Sequence, residues 1–221
     1  MKRALLGQDC VLCGGRSGGA FFCAGCAADL PQPDGACPQC AGPSPGGERC
    51  GACLARSPPF DATVAVWRYE FPVDRLIQAL KYGRRLALAD CFGEMLAARV
   101  AARHVDAIVP MPLARRRLAE RGFNQALEIG RHVARRTGIG LEPRLVERVH
   151  ETAPQTDLQH DARAANVRGA FACVGDVEAR TIAVVDDVMT TGASLDELAR
   201  TLKRAGALRV ENWVVARTWL R

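Results

Sequence analysis

The sequence predicts an α/β fold, a mostly parallel sheet with helices on both faces, behind a small cysteine-rich N-terminal module. Three observations carry that prediction. Residues 181–195, TIAVVDDVMTTGASL, pass from a strand pattern into a helix pattern without interruption. Upstream, short apolar runs alternate with segments of helical period. Eight of the ten cysteines fall within the first 53 residues, where glycines leave little apolar material for a core.

Those eight cysteines form four Cys-x-x-Cys pairs: Cys10/Cys13, Cys23/Cys26, Cys37/Cys40 and Cys50/Cys53. The first two pairs map onto the last two with a constant shift of 27 residues, a repeat of C-x2-C-x9-C-x2-C. Such a pair can turn as a tight knuckle with both sulfurs toward one metal, and two knuckles complete a tetrahedral thiolate site. That ligation favours zinc over an iron–sulfur cluster. Disulfides suit this chain poorly: its start, MKRALLGQDC, has too short an apolar stretch for a signal peptide, which points to the cytoplasm. A thioredoxin-like redox role lacks its βαβ surroundings. The reading is two structural zinc ions. The repeat suggests that each unit closes its own site, while cross-braced ligation fits the same spacing. Four thiolates leave no open position for metal catalysis, and without zinc the segment should be unfolded. Cys91 and Cys173 lie outside the repeat and read as buried small hydrophobes.

Residues 54–60, LARSPPF, read as a linker because Pro58 and Pro59 break any regular element, so the domains are 1–57 and 58–221. Residues 61–71 alternate like a strand. A helix follows over 72–82, with Pro72 in its first turn and Leu76, Ile77 and Leu80 on one face. Residues 87–103 form an alanine-rich helix, and 106–109 a short strand. Pro110 and Pro112 then stiffen the strand exit. Beyond that loop stand Arg115, Arg116 and Arg117, and Arg121 to Gln125 open a helix running to about Thr137. The loop is either a solvated connector or a rigid arm delivering arginines and an Asn/Gln pair to a pyrophosphate. Residues 142–149 suit a strand, and 151–168 lack an apolar period, as a lid or a disordered loop would. Within that stretch Gln155, Arg163 and Asn166 are the candidate ligand contacts, and His160 reads as solvent-facing.

The strand-to-helix motif closes the chain's argument. Ile182, Ala183, Val184 and Val185 form the continuous apolar run of a strand covered on both faces. Leu195, Leu198, Ala199, Leu202 and Ala205 keep helical spacing until Gly206. Ligands of open α/β sheets collect at the carboxyl ends of strands, where Asp186 and Asp187 should stand. Thr190, Thr191, Gly192, Ala193 and Ser194 would bring backbone N–H groups, hydroxyls and a helix N-terminus to a phosphate. The carboxylates would repel that phosphate and so suit vicinal ribose hydroxyls, or a Mg²⁺ shared with them.

The string from the apolar run through Asp-Asp to Thr-Thr-Gly-Ala-Ser resembles the 5-phosphoribosyl-1-pyrophosphate (PRPP) loop of type I phosphoribosyltransferases. Together with the four knuckles, LKYG at 80–83, VPMPL at 109–113, RGFNQA at 121–126 and PQTDL at 154–158, it is similar to the ComF family of competence-associated proteins. The resemblance covers nearly the whole chain. It implies a type I phosphoribosyltransferase-like domain behind a double zinc ribbon, PRPP with Mg²⁺ as ligand, and an association with natural transformation and DNA uptake. Carried onto this sequence, it places the ribose hydroxyls on Asp186 and Asp187 and the 5′-phosphate on the loop from Thr190 to Ser194. Arg115, Gln155, Arg163 and Asn166 join the binding set, and Asp186, Asp187 and Arg121 the catalytic one. Purine-salvage relatives carry an acidic residue where this chain has Thr190, which argues against purine salvage.

Two functions follow. One is pentosyl transfer, in which a base or amine displaces pyrophosphate from the anomeric carbon while arginines take up the charge on the leaving group. The other is a non-catalytic PRPP or nucleotide sensor that binds single-stranded DNA or transformation proteins. A net charge of +6, carried largely by arginine, suits an anionic partner in either case. No run is long enough to span a membrane.

Overall fold

The computed structural model describes residues 9–150 and 167–219. Its centre is a four-stranded, all-parallel sheet in the order β1-β6-β5-β2, with β1 at Ala62–Arg68, β2 at Ala107–Pro110, β5 at Thr181–Met189 and β6 at Arg209–Arg217. A second ribbon pairs β3 (Val146–Arg148) antiparallel with β4 (Phe171–Cys173).

Alternate residues of the parallel strands face opposite layers. Ile108, Ala183, Val185, Trp213 and Val215 pack with α3 (Val73–Lys81), α4 (Ala87–Arg99) and α6 (Gln125–Thr137). Val109, Ile182, Val184, Val210 and Val214 pack on Leu195, Leu198 and Leu202 of α7 (Ala193–Arg204). Both faces are therefore covered, which is why Ile182 to Val185 run apolar without alternation. Helices α4 and α6 cross so closely that a Cβ on Gly93 would lie 2.3 Å from His132 Cβ.

The predicted elements differ from the structure in instructive ways. Helix α4 ends at Arg99, short of 103, and β3 is three residues long within 142–149. Strand β5 does not stop at Val185: its pairing with β6 continues to Met189↔Arg217, so Asp186 and Asp187 are extended backbone. The arginine run is itself a short helix, α5 (Arg115–Arg121), ended by Gly122 in the left-handed region. Cys91 is buried as expected, whereas Cys173 is only partly buried, its Sγ directed to Gly175 O.

The cysteine repeat is a structural repeat. Short helices α1 (Ala24–Ala28) and α2 (Gly51–Ala55) sit 27 residues apart, as do the bridges Asp9↔Arg16 and Ala36↔Pro43. The module also carries more core than its glycines suggest. Phe21, Phe22 and Leu30 are buried in one cluster with Trp67 of β1, and Phe22 meets Trp67 edge-on at 6.1 Å between centroids.

Candidate functional site

Each half of the repeat brings its four sulfurs together. Cys10, Cys13, Cys23 and Cys26 lie within 4.8 Å of one another, and so do Cys37, Cys40, Cys50 and Cys53. The donor set and spacing fit one tetrahedral zinc per half, in sequential and not cross-braced order. The halves also share their electrostatics. Burial would raise Cys10, but backbone N–H groups of Cys13, Cys23 and Leu12 hold its thiol at about 6. Cys37, its repeat partner, is brought to about 7 in the same way. Neighbouring thiols push Cys26 up to about 12, and burial with Cys40 pushes its counterpart Cys53 upward.

A second site lies at the carboxyl ends of β2 and β5, a cavity of about 250 Å³. Strand β5 delivers Asp186 and Asp187, and the following turn lines the cavity with Thr190, Thr191, Gly192, Ala193 and Ser194. Gly192, at φ +88, is the N-cap that turns the chain into α7. A side chain there would be strained, and its Cβ would meet Met189 Cε at 2.8 Å.

Four cations face the two carboxylates across this cavity: Lys81 from the end of α3, Arg117 and Arg121 from α5, and Arg148 from β3. Lys81 Nζ lies 2.5 Å from Asp187 Oδ2. Burial would raise Asp187, yet the Lys81 ammonium overrides it and holds the carboxyl below its usual range. Asp186 goes the other way, pushed well up by burial and then by the charge of Asp187. Arg121 stacks over Tyr82 at 5.3 Å and donates to Gln125 Oε1 at 3.0 Å. Asn124 caps α6, accepting from Ala126 N at 2.9 Å, while its Nδ2 donates to Met111 O at 3.0 Å. That bond ties the proline-stiffened loop to the start of α6.

Of the residues singled out in the sequence, Asp186, Asp187, Arg121 and the turn from Thr190 to Ser194 converge here. Arg115 does not line the cavity; Arg117, two residues on and just over half a helical turn away, does. Gln155, Arg163, Asn166 and His160 lie outside the described residues. Lys81, Tyr69, Gln125 and Arg148 also line the site. The only sequence trace of Lys81 was its place in LKYG, at the end of an amphipathic helix.

Fold and sites together define an α/β protein with a double zinc ribbon at its N-terminus, and a sequence model of the Double zinc ribbon domain matches residues 1–54. The chain is 35% identical over 205 residues to DNA utilization protein YhgH of Salmonella typhi, covering 89% of this chain and 90% of that protein. It is 31% identical over 172 residues to Competence protein F of Haemophilus influenzae, covering 73% and 75%. The chain belongs to the ComF family. Among solved structures it is similar to a purine phosphoribosyltransferase from Pyrococcus horikoshii, at 19% identity, TM-score 0.36, over 70% of this chain and 78% of that one. A glutamine PRPP amidotransferase from B. subtilis matches at 22% identity, TM-score 0.41, over 57% and 26%. Among the described residues no helix is long and apolar enough to cross a membrane.

Proposed function

We propose that the cavity at the end of β5 binds PRPP and that the protein is a phosphoribosyltransferase-type ComF protein acting in DNA utilization. The observation that carries this is one cavity holding a carboxylate pair, a Thr-Thr-Gly-Ala-Ser turn at a helix N-terminus and four cations. PRPP has matching parts: vicinal hydroxyls, a 5′-phosphate and a pyrophosphate. The turn suits the phosphate through its backbone N–H groups and hydroxyls. Asp186 suits the ribose hydroxyls, since Asp187 is already engaged by Lys81. Arg117, Arg121 and Arg148 suit the pyrophosphate, whose negative charge grows as it leaves.

Magnesium belongs to this reading as the ion that accompanies pyrophosphate. The donor set is compatible with it, because Asp186, the carboxyl group that Lys81 does not engage, lines the same cavity. When bound, the ion neutralises pyrophosphate oxygens. The names of the relatives, DNA utilization protein and Competence protein F, support placing the activity in DNA handling.

A second reading, binding of single-stranded DNA, is favoured by the segment at 82–86. Tyr82 is 72% exposed beside exposed Arg84, Arg85 and Leu86, and Arg121 lies over the Tyr82 ring. An exposed aromatic among arginines is what a stacked base and its phosphate need. The domains at 1–57 and 58–221 are proposed as a zinc ribbon and a PRPP-binding unit that share the cluster around Trp67.

Calorimetric titration of zinc-replete protein with PRPP and Mg²⁺, beside Asp186→Asn, tests the first reading. Binding that the variant loses is the expected result. Absence of binding to the wild type, with salt-sensitive affinity for single-stranded DNA, would replace it with the second.

A further inference from the structure

Arg217, the last residue of β6, joins the second cysteine site to the turn that lines the cavity. Its Nε donates to Cys40 O at 3.0 Å, and its Nη1 donates to Met189 O at 2.9 Å and to Thr190 O. One guanidinium thus spans the backbone of a zinc-site cysteine and the backbone at the start of the phosphate-type turn. Its planar fork makes these bonds together only while both sides keep their places. Peptide planarity extends the effect. Carbonyls of Met189 and Thr190 held on Arg217 send the next N–H groups, those of Thr190 and Thr191, to the opposite side of the chain.

The contacts flanking Cys40 run the same way. Trp219 Nε1 donates to Ala41 O at 2.9 Å, and Thr63 Oγ1 donates to Gln39 O at 2.7 Å. The knuckle of the second zinc site is therefore bonded on both sides of Cys40, to β1 through Thr63 and to the segment just past β6 through Trp219. The first cysteine site meets the sheet elsewhere, through Phe22 on Trp67.

We propose that Arg217 is a positioning residue through which zinc at Cys37, Cys40, Cys50 and Cys53 and a phosphoribosyl ligand at the turn stabilise one another. The inference rests on the reading of that cavity as a PRPP site. Such coupling is reciprocal: zinc that orders the turn tightens ligand binding, and the ligand holds the zinc by the same factor. The first site, lacking this strut, is the internal control.

The test follows zinc release from the full chain to a chromogenic chelator, with and without saturating PRPP and Mg²⁺, alongside calorimetric PRPP binding. The second-site phase should slow by about five-fold or more while the first-site phase is unchanged. A Cys23→Ser/Cys26→Ser chain assigns the phases. Arg217→Gln should weaken PRPP binding by a similar factor and erase the effect of PRPP on release; Arg217→Lys, with charge but no fork, should fall between. PRPP binding that leaves second-site release unchanged, or slows both phases equally, overturns the inference and leaves the binding site standing. No PRPP binding to zinc-replete wild type overturns both. The wild-type comparison decides the matter even if Arg217→Gln fails to fold.

Discussion

Lys81 and Asp187 form an ion pair, Nζ to Oδ2 at 2.5 Å, with their side chains 19% and 4% exposed. The pair joins the end of α3 to the end of β5 and sets which carboxylate of the acidic pair is charged. Removing one partner leaves an uncompensated charge in a buried place, at a cost of about 3 kcal/mol. Asp187→Asn and Lys81→Met should each lose about that much in urea denaturation, and the double variant much less than the sum. Additive losses would show that the pair does not interact. The pH dependence follows from the signs. Asp187 is depressed, so its stabilisation is present above the ordinary aspartate range and disappears as pH falls through its folded value. Lys81 is raised against the opposing effect of burial, so its share disappears only as pH rises through a value above 10.5.

Asp186 should behave in the opposite sense. Burial and the charge of Asp187 raise it, so the folded protein holds a proton that the unfolded chain has released. Its contribution to stability is fully present below the unfolded value of 3.8 and is lost as pH rises through the folded one. Asp186→Asn should therefore have a higher Tm than wild type at pH 8, with the gain vanishing near pH 3, while PRPP binding is lost. A lower Tm at pH 8 would show that the Asp186 charge is stabilised by contacts other than those described. Such a trade of stability for binding is expected where a site gathers like charges.

The sequence reading places Arg115 in the binding set, and in three dimensions its neighbour Arg117 takes that position instead. Arg117 lines the cavity and Arg115 does not; Arg116 between them is paired with Glu120 at 2.8 Å. Arg117→Ala should weaken PRPP binding by about ten-fold or more, the equivalent of one charge-assisted bond of about 1.5–3 kcal/mol. Arg115→Ala should change it by less than about two-fold, since a surface charge beyond the cavity is largely screened. Equal losses in calorimetry would place both side chains on the ligand.

What the sequence made legible was the chemistry that lies close together along the chain. The repeat of eight cysteines and the motif from Ile182 to Ser194 each carry their own pattern, and both stand where it put them. What it hid depends on distant partners. Strand β6, next to the centre of the sheet, escaped notice because Glu211 and Asn212 interrupt its apolar run; both are buried. Glu211 is satisfied by Arg103, Arg209 and the Trp213 indole, contacts that no periodicity reveals. Helix α5 has too few apolar residues to show a face, and its end at Gly122 is the one local clue. Lys81 is an ordinary last-turn lysine until the fold brings it to Asp187.

Gly192 tests the turn itself. Its φ of +88 is a region that L side chains rarely adopt. Gly192→Ala should cost about 1–2 kcal/mol of stability from left-handed backbone. PRPP affinity should fall further than that loss implies at ligand-saturating conditions, because the same residue is the N-cap of α7. A variant with normal affinity would show that the turn does not touch the phosphate.

Zinc removal should report on the joint between the ribbons and the sheet. The ribbons bury Phe21, Phe22 and Leu30 against Trp67, a small cluster that four-thiolate sites must hold in place. Chelation should therefore unfold residues 9–57 and also expose Trp67, which is 2% exposed in the folded protein. Tryptophan emission should shift to the red with the loss of zinc, while Trp213, buried within the sheet between its neighbours, should contribute little to the change. Trp219, whose Nε1 donates to Ala41 O beside the second zinc site, reports on the ribbons as well, so Trp67→Phe/Trp219→Phe should abolish most of the shift. If the red shift persists in that double variant, the parallel sheet itself depends on zinc, and a fragment spanning 58–221 should then fail to fold; if no shift occurs in either protein, the ribbons keep their seat on Trp67 without metal.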